Sequence, residues 1–181
     1  MRDALHVALA EADTRLDPLL PADREPLRAA TGADEAIWPL YPTDWSGPAF
    51  DTQFDKLLAD PLRLPFAIRE DGVVVGMTAY IVPDLWKGIV EIGNSYILPA
   101  ARGTGLNDRV KRLMIDHAFA AGIRRIEFRV DERNGRSQAA VLKLGCVKEG
   151  VMRQERITWT GHVRDTALFS LLIGDWRGRH G

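Results

Sequence analysis

The segment Arg102-Gly103-Thr104-Gly105-Leu106-Asn107 has the parts of an anion site. Its two glycines allow backbone conformations that turn successive N–H groups outward, and neither carries a side chain to block close approach. An apolar repeat at helical spacing follows directly: Leu106, Val110, Leu113, Met114, His117 and Ala118. The loop therefore sits where a helix begins, with the positive end of the helix dipole behind it. Arg102 adds a full charge, and Arg109, Lys111 and Arg112 extend the basic cluster onto the helix. Asn107 tolerates unusual backbone angles and is expected to cap that helix. The chemistry such a loop performs is phosphate binding. No Gly-Lys-Ser/Thr follows it, so it is not a P-loop, and its glycine spacing is not the dinucleotide fingerprint. Taken alone, Arg-Gly-x-Gly reads first as a tight strand-to-helix turn with a solvated basic face.

The elements that must hold this loop are legible on both sides of it. Pro65 to Arg69 reads as a strand, Glu70-Asp71-Gly72 as a turn and Val73 to Val82 as a second strand. Pro83 to Gly88 connects to a third strand, Ile89 to about Leu98, in which Gly93-Asn94-Ser95 predicts a bulge or splayed backbone. Beyond the loop helix, closed by Gly122, Arg124 to Val130 points Ile126, Phe128 and Val130 inward as a strand. Asn134 to Leu144 is a helix ended by Gly145, and two strands near Met152 to Thr158 and Arg164 to Leu172 flank a Thr160-Gly161 turn. The first third is less regular. Leu16 to Leu20 is a short strand, Asp23 caps a helix that ends before Gly32, and Asp51 to Ala59 is a second helix with Phe54, Leu57 and Leu58 on one face. The intervening Ala36 to Trp45, rich in proline and aromatics, reads first as a satellite core and second as a substrate-facing wall. The order predicts one α/β domain over 1–181: a mixed, mostly antiparallel sheet of about seven strands flanked by helices.

Bulk properties fit that expectation. The 181 residues are 46% hydrophobic and 27% charged, with a formal net charge of -1. That balance gives no reason to expect a nucleic-acid or membrane-surface partner. The single cysteine, Cys146, excludes an internal disulfide and suits a reducing cytoplasm. No run approaches the roughly 18 apolar residues of a membrane helix, and the N-terminus lacks the apolar run of a signal peptide. His6, His162 and His180 show no metal-ligand spacing with one another, so no metal is expected.

Pro99-Ala100-Ala101-Arg102-Gly103-Thr104-Gly105-Leu106-Asn107 resembles the acetyl-coenzyme A motif of the GCN5-related N-acetyltransferases, Arg/Gln-x-x-Gly-x-Gly/Ala, with Asn107 as its one departure. The resemblance extends through Arg124 to Val130, Asp131 to Ala140, Leu144-Gly145-Cys146-Val147-Lys148-Glu149-Gly150 and Gly161 to Ser170, with Asp175-Trp176 near the end. This set looks like the RimJ/RimL-type branch. The resemblance implies a sheet splayed at the cofactor strand and an N-acetyltransferase using acetyl-CoA as co-substrate. The acceptor is a primary amine, of a protein N-terminus or a small molecule, attacking directly in a ternary complex. It implies that Ile97 and Leu98, Arg102 to Asn107, Asn134 and Ser137 hold the cofactor, with the backbone N–H near Ile97 facing the thioester oxygen. Glu91 is the first choice for general base, with a solvent-facing strand position or pairing to Arg129 or Lys87 as its structural alternatives. Ser137 is the candidate proton donor to the departing thiolate, water the alternative and Tyr96 a weaker one.

Other residues point to packing. Cys146 and His117 are expected in the core, Arg164-Asp165 as an ion pair, and Trp38, Trp86 and Trp159 as packing before pocket walls. Asp44, Asp51, Asp84 and Glu91 are candidates to line the acceptor site. A homodimer stays open, and the competing function is a non-catalytic acyl-CoA-binding module.

Overall fold

A computed structural model describes residues 2–82 and 85–180, without the side chains of residues 178–180. Asp84 and the His180 side chain, both weighed above, lie outside the described residues. The order is α1 (Arg2–Leu5), β1 (Leu9–Glu11), β2 (Thr14–Pro18), α2 (Arg24–Gly32), α3 (Phe50–Ala59), β3 (Arg63–Glu70), β4 (Val73–Ile81) and β5 (Ile89–Ile97). Then follow α4 (Leu106–Ala120), β6 (Arg125–Asp131), α5 (Gly135–Lys143), β7 (Val147–Ile157), β8 (Val163–Leu172) and α6 (Ile173–His180).

All eight strands form one sheet in the order β1-β2-β3-β4-β5-β6-β8-β7. Every pairing is antiparallel except β5 with β6, which is parallel. The mixed sheet flanked by helices is as expected, but with eight strands rather than about seven. The extra one, Leu9–Glu11, is too short and too exposed to leave an alternating apolar pattern. The second strand sits two residues earlier than its apolar run, because the ladder with β3 begins at Thr14 opposite Glu70 and its last paired residues are Pro18 and Phe66, with only the Leu19 N–H reaching on to the Pro65 carbonyl at 2.9 Å.

Strand alternation divides the core in two. Leu64, Phe66 and Ile68 of β3 join Val110, Met114, Ile115 and Ala118 of α4 on one face of the sheet. Ala67 and Met77 join Leu27 of α2 and Phe50, Phe54 and Leu57 of α3 on the other. Trp38 and Trp45, from the aromatic segment, are buried in this second cluster, so its satellite-core reading holds. Cys146 is buried in the first cluster, and His117 is half-buried with Nε2 2.7 Å from the Ala4 carbonyl oxygen.

Two local expectations are corrected. Asp23 precedes α2 but does not cap it; its carboxylate accepts from the Leu20 N–H at 2.9 Å and from Arg69. Arg164 does not pair with Asp165. Buried on β8, it lies 3.9 Å from Asp131, while Asp165 accepts from the Gln154 N–H at 2.7 Å. Alternation along β8 places adjacent residues on opposite faces, which separates the two.

Candidate active site

After β5 a single 3-10 turn, Pro99–Ala101, brings the chain to Gly103 (φ 80°) and Gly105 (φ 84°). Gly105 occupies the cap position of α4 in the left-handed region, which a residue with a Cβ adopts only at a cost. The first helical bond runs from the Arg109 N–H to the Gly105 carbonyl, 3.1 Å, leaving the N–H groups of the first turn without helical partners. Thr104 braces the turn, its hydroxyl donating to the Ala101 carbonyl at 2.9 Å. Gly103, Gly105 and Asn107 line a cavity of about 960 Å3. Asn107 is the second residue of α4, so it faces this cavity and does not cap the helix.

The surrounding charges are not arranged as the sequence suggests. The Arg102 guanidinium turns back, donating from Nε to the Ile97 carbonyl at 2.8 Å and from Nη1 to Asp34 at 2.6 Å. Its Nη2 is buried without a partner among the described residues. Arg109 pairs with Glu70 at 2.9 Å and bonds Thr14 Oγ1 at 3.0 Å. Lys111 is buried. Of the supposed basic cluster only Arg112 stays exposed, so the positive field at the loop is left to its backbone N–H groups and the helix terminus.

Strand β5 forms the cavity's spine. It pairs with β6 only at Ile89, Val90 and Glu91, and the two strands separate beyond that point. On its other side the register with β4 slips between Met77 and Ala79, opposite Gly93 to Tyr96, and Asn94 takes φ 51°. The expected bulge and splay are both present. The Leu98 N–H reaches back to the Val75 carbonyl at 2.9 Å. By alternation the Ile97 N–H faces the other way, into the gap, on the side where its carbonyl meets Arg102.

Glu91 stands at the head of the gap with its carboxylate 3.5 Å from Arg129 Nε. Burial pushes its pKa up, while Arg129, Arg156 and Arg63 oppose that shift. Gly93 makes room for it: a Cβ there would come within 3.0 Å of Glu91 Oε1. The ion pair and the cavity position, alternatives in the sequence, coexist. On the far wall Asn134 caps α5, accepting from the Ser137 N–H at 3.0 Å. The Ser137 hydroxyl has no protein partner among the described residues.

One cavity thus brings together Glu91, Ile97, Arg102, Gly103, Gly105, Asn107, Asn134 and Ser137. Leu98, Thr104 and Leu106 do not line it; Leu106 is fully buried in the core and supports the loop from below. Tyr96 is removed from the proton-donor role, since its hydroxyl donates to the Ala30 carbonyl at 2.8 Å and its ring stacks on Trp38. Asp51 is removed from the acceptor wall by its pairing with Arg24 and Arg28 on the outer surface, and Asp44 bonds Ser46. Trp86 is fully exposed, and Trp159 donates to the Trp38 carbonyl at 2.9 Å.

Two wall residues have contacts the sequence reading did not foresee. Tyr41, whose hydroxyl donates to the Ser95 carbonyl at 2.7 Å, comes from the aromatic segment, and no local signal links it to β5. Lys111 did leave a signal, for it lies three residues before Met114 and seven before Ala118, on the apolar face of α4. No helix of the described residues is long and apolar enough to cross a membrane. No group of three or more His, Cys, Asp or Glu among them is placed to hold a metal ion.

The family model described as Acetyltransferase (GNAT) family matches residues 31–146, more than half of the chain. An uncharacterized N-acetyltransferase of Mycobacterium tuberculosis is 31% identical over 93 residues, 51% of this chain and 58% of the relative. The match therefore spans less than two-thirds of that relative's length. The crystal structure of a GCN5-related N-acetyltransferase from Brucella melitensis superposes with a TM-score of 0.88 at 27% identity, covering 95% of this chain and 81% of that one. Mycobacterium smegmatis RimJ, in complex with CoA-disulfide, shares the fold with a TM-score of 0.77 at 24% identity, over 89% of this chain and 82% of that one.

Proposed function

This chain belongs to the acetyltransferase (GNAT) family, and on that premise we propose that it transfers an acetyl group from acetyl-CoA to a primary amine, by direct attack in a ternary complex. The observation that carries this reading is the single cavity. It joins a helix-terminal anion cradle, an unpaired strand edge with an inward N–H, and a buried carboxylate.

The cradle at Gly103 and Gly105 suits the pyrophosphate, and the free edge of β5 suits the amide groups of the pantetheine arm, paired like an added strand. Asn134 and Ser137 close that path from the far side. Glu91 accepts a proton from the acceptor ammonium, and its burial brings its basicity nearer to neutral pH. The amine nitrogen then bonds to the acetyl carbon as the carbon–sulfur bond breaks. The Ile97 N–H stabilises charge on the carbonyl oxygen. The nitrogen sheds its second proton as the amide forms, and the unengaged Ser137 hydroxyl or a water relays it: it gives its own proton to the departing thiolate and takes up the one the nitrogen loses.

We read residues 1–181 as one domain of the RimJ/RimL-type branch, a reading supported by its motif order and by the fold shared with the mycobacterial RimJ. The acceptor is a protein N-terminus or a small amine. Mixing acetyl-CoA with a panel of amines and peptides and following free thiol tests the reading. Release with at least one acceptor is expected. Tight acetyl-CoA binding with no release across a broad panel would overturn it in favour of an acyl-CoA-binding module.

A further inference from the structure

Among the described residues, helix α4 buries one charge-bearing side chain against the sheet. Lys111 is 6% exposed, and its amine lies 2.5 Å from Ser95 Oγ and 3.4 Å from Thr78 Oγ1. Among the described residues no carboxylate pairs with it. An amine placed like this is costly, because its charged form loses water and gains only hydroxyl oxygens. Burial pushes its pKa down to about 7. A methionine of similar length would fill the same space without that cost, so packing does not account for the residue.

What Lys111 touches does account for it. Thr78 is the β4 residue at the register slip, and Ser95 is one of the two β5 residues that bulge opposite it. The Thr78 hydroxyl also lies 3.0 Å from Ser95 Oγ, so amine and hydroxyls form a closed triangle across the bulge. From the opposite face of the sheet, Tyr41 donates to the Ser95 carbonyl at 2.7 Å. Arg63 holds the Asn94 side chain. The bulge is thus gripped from both faces, two residues before the inward Ile97 N–H. Elsewhere along this stretch β5 has lost its β6 partner, so ordinary ladder bonds on that side do not fix its path.

We propose that Lys111 is a positioning residue for acyl transfer: through Ser95 and Thr78 it pins the β5 bulge and so aims the Ile97 N–H into the cavity. The proposal rests on the acetyltransferase reading for its catalytic consequence, but not for its structural one. Its logic is that of a preorganised donor. A strand free to relax leaves the glycine cradle to hold the pyrophosphate, but no longer holds a donor where charge develops.

The test compares wild-type protein with Lys111→Met and Ser95→Ala, singly and together. In Lys111→Met, amide hydrogen exchange over residues 93–98 is expected to quicken at least tenfold, with the melting temperature unchanged or higher. Turnover is expected to fall at least tenfold while the Kd for acetyl-CoA stays within threefold. Adding Ser95→Ala to Lys111→Met is expected to cost little more, since both remove the same grip. Unchanged exchange over 93–98 in both single variants overturns the proposal. So does a lowered melting temperature with faster exchange throughout the sheet, which marks a general packing role. If wild-type protein releases no thiol with any amine, the acetyltransferase reading fails, while the exchange comparison still decides the bulge.

Discussion

Glu91 is held by two opposed effects whose balance sets when it can accept a proton. Burial in the gap raises its pKa, and Arg129, 3.5 Å away, exerts the largest opposing pull. A base works only when unprotonated, so kcat/KM should fall as pH drops through the Glu91 pKa. Removing Arg129 removes the pull, the carboxyl holds its proton to higher pH, and the acidic limb should move upward. pH–rate profiles of wild type and Arg129→Ala check this; an unmoved limb would assign it to another group. Glu91→Gln should abolish the limb and lower kcat by roughly 10²–10⁴-fold, the usual contribution of a general base. The sequence pointed to Glu91 by its place on the strand. It left pairing and catalysis as alternatives, because whether one carboxylate can do both depends on the room left by Gly93.

In the proposed reading, the loop between β5 and α4 binds phosphate through its backbone. Its function therefore depends on conformation and local field more than on any single side chain. At Gly105, φ 84°, a Cβ would meet only Arg109 Nη1 at 3.4 Å, so space is not limiting. Left-handed backbone costs an L-residue roughly 1–2 kcal/mol, and Gly105→Ala should show that cost alone. Gly105→Glu adds a carboxylate where the helix terminus awaits phosphate. Its Kd for acetyl-CoA should rise at least ~10-fold, about 1.4 kcal/mol, beyond that of the alanine variant. Calorimetric titration of both checks the assignment, and equal affinities would refute it. The Gly-x-Gly loop was legible because it is local. The fate of Arg102 was not: its partner, Asp34, lies 68 residues away, so proximity in sequence misassigned its charge.

At the scale of the molecule, the cavity is a gap in the sheet. Its walls come from the aromatic segment, from β5 and β6, from the start of α4 and from α5. A ligand lying along this gap ties the β1–β5 part of the sheet to the β6–β8 part and favours the folded state by mass action. At 100 times its Kd, acetyl-CoA should add about 2.7 kcal/mol of stability, which for a chain of this size raises the melting temperature by roughly 5–10 °C. Thermal denaturation across a cofactor titration measures this. No shift at saturating cofactor would mean that the gap is not the binding site.

The sequence by itself determined most of the elements and the form of the glycine loop. Helical and strand periodicities, the turn at Asp71-Gly72, the glycine loop and the Asn134 cap are short-range features. Backbone conformation and the partition of apolar side chains decide them within a few residues. Tertiary structure alone decided which charges remain available. Arg102, Arg109 and Lys111 looked alike as a basic cluster. One pairs with Asp34, one with Glu70, and one is buried against Ser95. It also decided that Tyr41 reaches β5 and that Tyr96 turns away. The reason is range: burial and ion pairing depend on which distant segments meet in space, and no spacing along the chain encodes that meeting.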